Sequence, residues 1–301
     1  VAVIRPTSIA DACAALADHP GAIPLAGGTD LMVEVNAGRP LPDVVVSLAA
    51  VGDLRGWSVV TIDGRPTVRI GATTTFRELM DDELAGLVPA LAQAARTVGS
   101  PQIRNAGTIG GNLATASPAG DTLPVLTALD ATVELVSADG SRSLPVTELV
   151  TGPKRTALAA DEMVAAVHVP VLEGPQEFLK VGTRSAMVIS VVSLAAVADV
   201  AARRIGIAAG AATARPQRAT EAEELAAAAC DWDGLVAGAP TPPSPEDLAR
   251  IAAAVRAAVA PIDDHRSTAE YRRHAAGVLA SRAIERLFGP DGAAHRGSSA
   301  A

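Results

Sequence analysis

Thr108-Ile109-Gly110-Gly111-Asn112-Leu113, carried forward through Ser117-Pro118-Ala119-Gly120-Asp121, is the stretch on which the reading of this chain turns. Two adjacent glycines strip side chains from a bend, let a ligand approach the main chain, and allow successive N–H groups to point into one concavity. Far upstream, Pro24-Leu25-Ala26-Gly27-Gly28-Thr29-Asp30-Leu31 repeats the grammar: an apolar run, a glycine pair, a hydroxyl residue, an apolar resumption. Strand, glycine turn and helix in that order is an anion-binding arrangement, and two such nests suit two linked phosphates. A single Gly-Gly pair is more often an ordinary turn than a ligand site, and it is the two together, each before a helix start and near a threonine, that point to a dinucleotide-type ligand. Neither stretch is a G-x-G-x-x-G or a P-loop with its Gly-Lys-Ser/Thr, so ordinary NAD folds and ATP hydrolysis lose ground.

Around these loops the chain reads as alternating strands and helices. Thr7-Ser8 caps an amphipathic helix over Ile9, Ala10, Ala12, Cys13 and Leu16, and Ala22–Ala26 is a short strand. Leu41–Leu48, Val59–Ile62 and Thr67–Ala72 are strands, with Asp63-Gly64 as a hairpin turn. Thr73-Thr74-Thr75 is expected to cap a helix through Leu79-Met80, and a helix runs from Pro89 to Val98 and ends at Gly99. Later come a helix over Leu123–Leu129, strands at Ala131–Val136, Met163–Val169, Glu177–Arg184, Val188–Val200 and Arg204–Ala212, then helices at Ala219–Ala229, Leu248–Val259 and Tyr271–Leu287. The Pro/Gly-rich crossing Pro170–Pro175 marks a boundary between residues 1–172 and 173–288, and residues 289–301 read as a small, polar, disordered tail.

Composition narrows the chemistry. A length of 301 residues favours two domains. A net charge of -8 without a dense Lys/Arg block argues against nucleic acid. The apolar region from Val188 to Ala202 falls short of the ~20 residues of a membrane span. No basic region followed by an apolar run and a small-residue cleavage site opens the chain. Cys13 and Cys230 are the only cysteines, too few for an all-Cys iron–sulfur site, and they suit a reducing cytoplasm. The five histidines show no ligand spacing, and there is no nucleophile elbow, so the chemistry belongs to a cofactor. Asp30 and Asp121 each read as helix caps or as acceptors for a sugar-type hydroxyl, with the cap favoured for Asp30 and, on residue type alone, for Asp121. Lys180 alternates on a strand, where most lysines are solvated, and Asp263-Asp264-His265-Arg266-Ser267 reads as a helix-entry cluster.

Ala26–Leu31, Ile103–Ala114 and Ser117–Asp121 together resemble the FAD-binding signatures of molybdenum hydroxylase medium subunits, the flavoproteins of carbon monoxide dehydrogenase and xanthine dehydrogenase type. The likeness extends to Arg5-Pro6-Thr7-Ser8, Glu177–Lys180 and on to Ala196, Pro216–Ala219, and Asp264–His274. It implies an α+β fold: a two-part PCMH-type, vanillyl-alcohol-oxidase-like FAD domain, followed by a C-terminal domain of three-stranded antiparallel sheet with helices. Pro24, Leu25, Ala26, Gly27, Gly28, Thr29, Asp30 and Leu31, with Thr108, Ile109, Gly110, Gly111 and Asn112, would hold the pyrophosphate. Asp121 would bind a flavin hydroxyl, and Val98, Val164 and Lys180 would line the remaining cleft. The implied partners are a [2Fe-2S] small subunit and a molybdopterin-containing large subunit, with FAD passing electrons to an external acceptor. One departure stands out: after Arg184–Met187 many relatives have Asp before the Ile, and here Val188 precedes Ile189. It motivates the alternative of a stand-alone FAD oxidase or dehydrogenase acting on a small organic substrate.

Overall fold

The computed structural model describes residues 1–289 of the chain, which separate into two compact units. The first comprises residues 1–79, 100–117 and 131–170, and the second residues 80–99, 118–130 and 171 onward. The expected tail lies outside the described residues except for Gly289. Among the described residues no helix is long and apolar enough to cross a membrane.

In the first unit, strands Ala2–Ile4, Val44–Ser47 and Ile23–Leu25 form a parallel sheet in that order. Ser8 caps the helix Ile9–Asp18 by accepting from the Asp11 N–H, and Ala12, Cys13, Ala15 and Leu16 turn its apolar face into a core with Val46, Leu48 and Leu54. A second, five-stranded antiparallel sheet runs Trp57–Ile62, Arg65–Gly71, Met163–Pro170, Thr132–Ser137, Gly140–Pro145. Its first hairpin turns at Asp63 and Gly64, both at positive φ, which is the twist a two-residue hairpin needs.

The second unit is built on the antiparallel sheet Gln176–Val181, Val192–Asp199, Arg204–Gly210. The helices Thr220–Ala229, Trp232–Ala237, Pro245–Ala258 and Ala269–Leu287 accompany it, and a core of Val, Leu, Ile and many Ala residues is closed by Trp232 and Phe288, whose rings meet edge to face at 5.3 Å. Small alanine side chains let these layers approach closely. Gly206 shows how closely: a Cβ there would lie 2.2 Å from the Ala128 carbonyl oxygen.

Several local expectations are corrected. The threonine run makes only a single 3₁₀ turn at Glu78–Met80: Thr73 and Thr74 donate instead to the Leu54 and Gly56 carbonyls, leaving Thr75 alone in a reciprocal cap with Glu78. The strand expected from Val188 begins at Val192, because Met187 adopts φ +50 and Arg184 donates to its carbonyl, fixing residues 184–187 as a loop. Short helices at Pro101–Ala106 and Trp232–Ala237 carry too few periodic positions to announce themselves.

Candidate functional site

The first glycine loop leaves the strand Ile23–Leu25 and enters the short helix Leu31–Asn36. Gly28 sits at φ +69, and Gly27 lies so close to the chain entering the second loop that a Cβ would stand 1.8 Å from the Ala106 carbonyl oxygen. The two glycine segments are thus neighbours within the first unit, and Gly27 is the residue that permits it. Asp30 occupies the N-cap position without a side-chain cap bond; its carboxylate accepts from Thr115 Oγ1 at 3.3 Å. The favoured cap role for Asp30 is therefore corrected. Among the described residues the N–H groups of Gly27, Gly28, Thr29 and Asp30 donate to no protein acceptor. They border a cavity of about 390 Å³ that residues 23–31 line along one side.

The second segment differs from the open nest its sequence suggests. Thr108 caps the helix Ile109–Thr115, and its hydroxyl accepts the Gly111 N–H at 3.1 Å. Ile109 N–H donates to Thr74 O, Gly110 N–H to Ala72 O and Asn112 N–H to Thr108 O. The N–H groups of Ile109, Gly110, Gly111 and Asn112 are thus engaged by the chain itself, whereas that of Thr108 donates to no acceptor among the described residues. Gly110 serves close packing, since a Cβ would meet that of Ala72 at 2.5 Å. Thr108, Gly111 and Asn112 line the cavity, whereas Ile109 and Gly110 are fully buried. Val164 is also buried, in the strand Met163–Pro170 opposite Leu135.

The sequence reading missed the remaining walls. Phe76 supplies an aromatic ring, and Leu158, Ala159 and Ala160 an apolar wall. That wall is fastened by Arg142, which donates to the Ala157 carbonyl at 2.8 Å and to both oxygens of Glu162 at 2.6 and 2.8 Å. The arginine holds the Glu162 carboxyl below its ordinary range, and the Glu162 carboxylate in turn accepts the Ala159 N–H. Glu34, Arg39 and Lys154 complete the polar lining. The only cue to Lys154 was the turn signal Gly152-Pro153, which says nothing of what it faces.

Val98, Asp121 and Lys180 belong to the second unit. Val98 is half-buried at the C-terminal end of the helix Pro89–Thr97. Asp121 starts the helix Thr122–Ala128 without capping it: the carboxylate, 5% exposed, accepts instead from Lys180 Nζ at 2.6 Å, Thr97 Oγ1 at 3.1 Å and Ser190 Oγ. Lys180 Nζ also donates to the Thr97 carbonyl at 3.2 Å. The solvated role read for Lys180 is corrected, because its side chain is 9% exposed and ion-paired. Ser190 is anchored in turn by Arg266, whose Nη1 donates to its carbonyl at 3.1 Å. Asp264 orients Arg266 and also accepts from the buried Arg272, while Asp263 accepts the Ala269 N–H at the start of the last helix.

The family profile for the FAD binding domain in molybdopterin dehydrogenase matches residues 1–172, and that for the CO dehydrogenase flavoprotein C-terminal domain matches residues 177–287. The nicotinate dehydrogenase FAD-subunit of Eubacterium barkeri is 41% identical over 58% of this chain and 60% of its own length. The glyceraldehyde dehydrogenase medium chain of Sulfolobus acidocaldarius is 31% identical over 94% of this chain and 97% of its own. Among solved structures, a chain of the reconstituted CO dehydrogenase from Oligotropha carboxidovorans superposes with a TM-score of 0.84 at 30% identity, covering 95% of this chain and 97% of that one.

Proposed function

The chain belongs to the family of FAD-binding subunits of molybdenum hydroxylases, and from that membership we propose that it binds FAD and relays electrons from a [2Fe-2S] partner to an external acceptor. Likeness over nearly the full chain to subunits of multi-subunit dehydrogenases carries this reading, and it favours a subunit over a stand-alone FAD oxidase. The molybdopterin centre, and with it the pocket for the oxidised substrate, would be on a third chain. We take the N-terminal FAD-binding region, residues 1–172, to be of PCMH type and residues 173–288 to be the C-terminal domain. A reducing cytoplasm suits two buried free thiols, of which Cys230 is pushed up to about 12 by burial.

The first unit fits such a cofactor. Its cavity is bordered by four main-chain N–H groups without acceptors among the described residues, one of them on a glycine at positive φ. Donors of this kind bind an anion without adding a mobile side chain. When bound, FAD supplies the capacity to accept and release electrons singly or in pairs. In our reading Gly27–Asp30 hold the pyrophosphate, and Thr108, Gly111 and Asn112 shape the facing wall. Asp121 is proposed to accept from a flavin hydroxyl, its carboxylate already fixed by Lys180, Thr97 and Ser190 so that little reorganisation accompanies binding. Val98 and Val164 are proposed to give apolar contacts.

Reconstitution tests the reading. The purified full chain mixed with FAD should show a bound-flavin spectrum and release FAD on denaturation. Bound flavin reducible by a small organic substrate without any partner chain would favour the stand-alone oxidase instead.

A further inference from the structure

The cavity contains two basic side chains to which the FAD reading gives no task, Arg39 and Lys154. Both are paired with one acceptor: Lys154 Nζ donates to Glu34 Oε1 at 2.8 Å, and Arg39 Nη1 donates to Oε2. The arrangement holds the Glu34 carboxyl below its ordinary range, with the Lys154 hydrogen bond as the largest cause. Two cations thus share one carboxylate beside the N–H groups of residues 27–30, and the Asp30 carboxylate of the same lining has no cationic partner among the described residues.

The side chains of Lys154 and Arg39 are 62% and 49% exposed, but the backbone that carries Lys154 is fixed. Lys154 has φ +54 in the tight turn joining strands Val150–Gly152 and Arg155–Thr156, a conformation rare for a long side chain. Its N–H is tied at 2.9 Å to Ala116 O, at the end of the helix that begins with the second glycine pair. Of the other carboxylates of the lining, Glu162 is paired with Arg142, and Asp30 accepts only from the Thr115 hydroxyl. Glu34 alone is matched to the cavity's cations.

Resting on the FAD reading above, we propose that Lys154 and Arg39 are the cations that receive the diphosphate in this cavity, and that Glu34 is the counter-ion they exchange for it. A guanidinium matches phosphate oxygens in bidentate fashion, and an ammonium adds a compact charge. The carboxylate keeps both side chains pointed at the site before the ligand arrives, and it competes with the ligand for them. Uptake is then an ion-pair exchange, weakened by salt.

The test is a titration of the full chain, stripped of cofactor, with FAD and in parallel with ADP, which carries the diphosphate without the flavin. Lys154→Met and Arg39→Met should each raise Kd roughly tenfold, the scale of a charge-assisted hydrogen bond. Each should also flatten its dependence on salt. Glu34→Gln should lower Kd. Arg155→Met, the same charge change one residue along and outside the lining, should leave it unaltered. Wild-type FAD binding with Lys154→Met and Arg39→Met within twofold of it would overturn the proposal while the FAD reading stands. So would Glu34→Gln weakening binding as the cation variants do. ADP binding that follows the expected order in a chain that takes up no FAD would uphold the cations' role and sink the flavin reading.

Discussion

Replacing Lys180 by Met isolates the buried ion pair that anchors Asp121. The Nζ to Oδ2 distance is 2.6 Å, with the side chains 9% and 5% exposed. At that separation and an effective dielectric of about 20, the gross attraction is about 6 kcal/mol, against which desolvation of both groups must be set. Breaking such a pair from one side costs about 3 to 5 kcal/mol, because a carboxylate is left buried without its cation. Here the Thr97 and Ser190 hydroxyls still donate to it, which puts Lys180→Met near the lower end. Asp121→Asn alone should cost a comparable amount, and the double variant should cost clearly less than the sum, the mark of direct coupling. Urea unfolding of the cofactor-free chain measures this. A Trp57→Phe background leaves Trp232, buried in the second unit, as the only tryptophan to report on it. Additive single effects, or a Lys180→Met cost below about 0.5 kcal/mol, would show an ordinary solvated strand lysine and refute the reasoning.

Two further outcomes follow from single contacts. Gly27→Ala places a methyl group 1.8 Å from the Ala106 carbonyl oxygen and should cost about 3 kcal/mol through overpacking, together with FAD affinity, whereas Gly28→Ala meets mainly the left-handed penalty of about 1 kcal/mol. Thermal midpoints and FAD titrations compare the two; a Gly27 variant no worse than the Gly28 variant would contradict the close approach. The Arg266 guanidinium, helped by Arg272, holds the Asp264 carboxyl well below the usual carboxylate range. A depressed folded-state value means that its stabilisation is complete above the unfolded value of about 4 and lost as pH falls through the folded one. The stability difference between wild type and Asp264→Asn should therefore be flat from pH 7 to about 5 and shrink only below about 4. A difference already shrinking at pH 6 would contradict it.

What the sequence disclosed follows from the range of the interactions involved. The loop Gly27-Gly28 was legible because a glycine pair between strand and helix constrains its own backbone. The segment Thr108–Asn112 was located, but not which of its N–H groups are free: those of Ile109 and Gly110 go to the Thr74 and Ala72 carbonyls, more than thirty positions away in the chain. Lys180 read as solvated for the same reason, its partner Asp121 being distant in sequence. The apolar run after Val188 could not show that Met187 would take a positive φ and delay the strand to Val192. Lys154 left only the turn signal Gly152-Pro153, and a lysine after Gly-Pro is the commonplace of a surface turn. Segment 264–274 matched the family's last helix, yet that its Arg266 braces Ser190, and through it Asp121, is visible only in three dimensions.

Native mass spectrometry of the chain isolated from its own cell under gentle conditions bears most directly on the central claim. The account predicts a species containing this chain, one FAD, an iron–sulfur chain and a molybdopterin chain. A chain that flies alone and carries no flavin mass would contradict it.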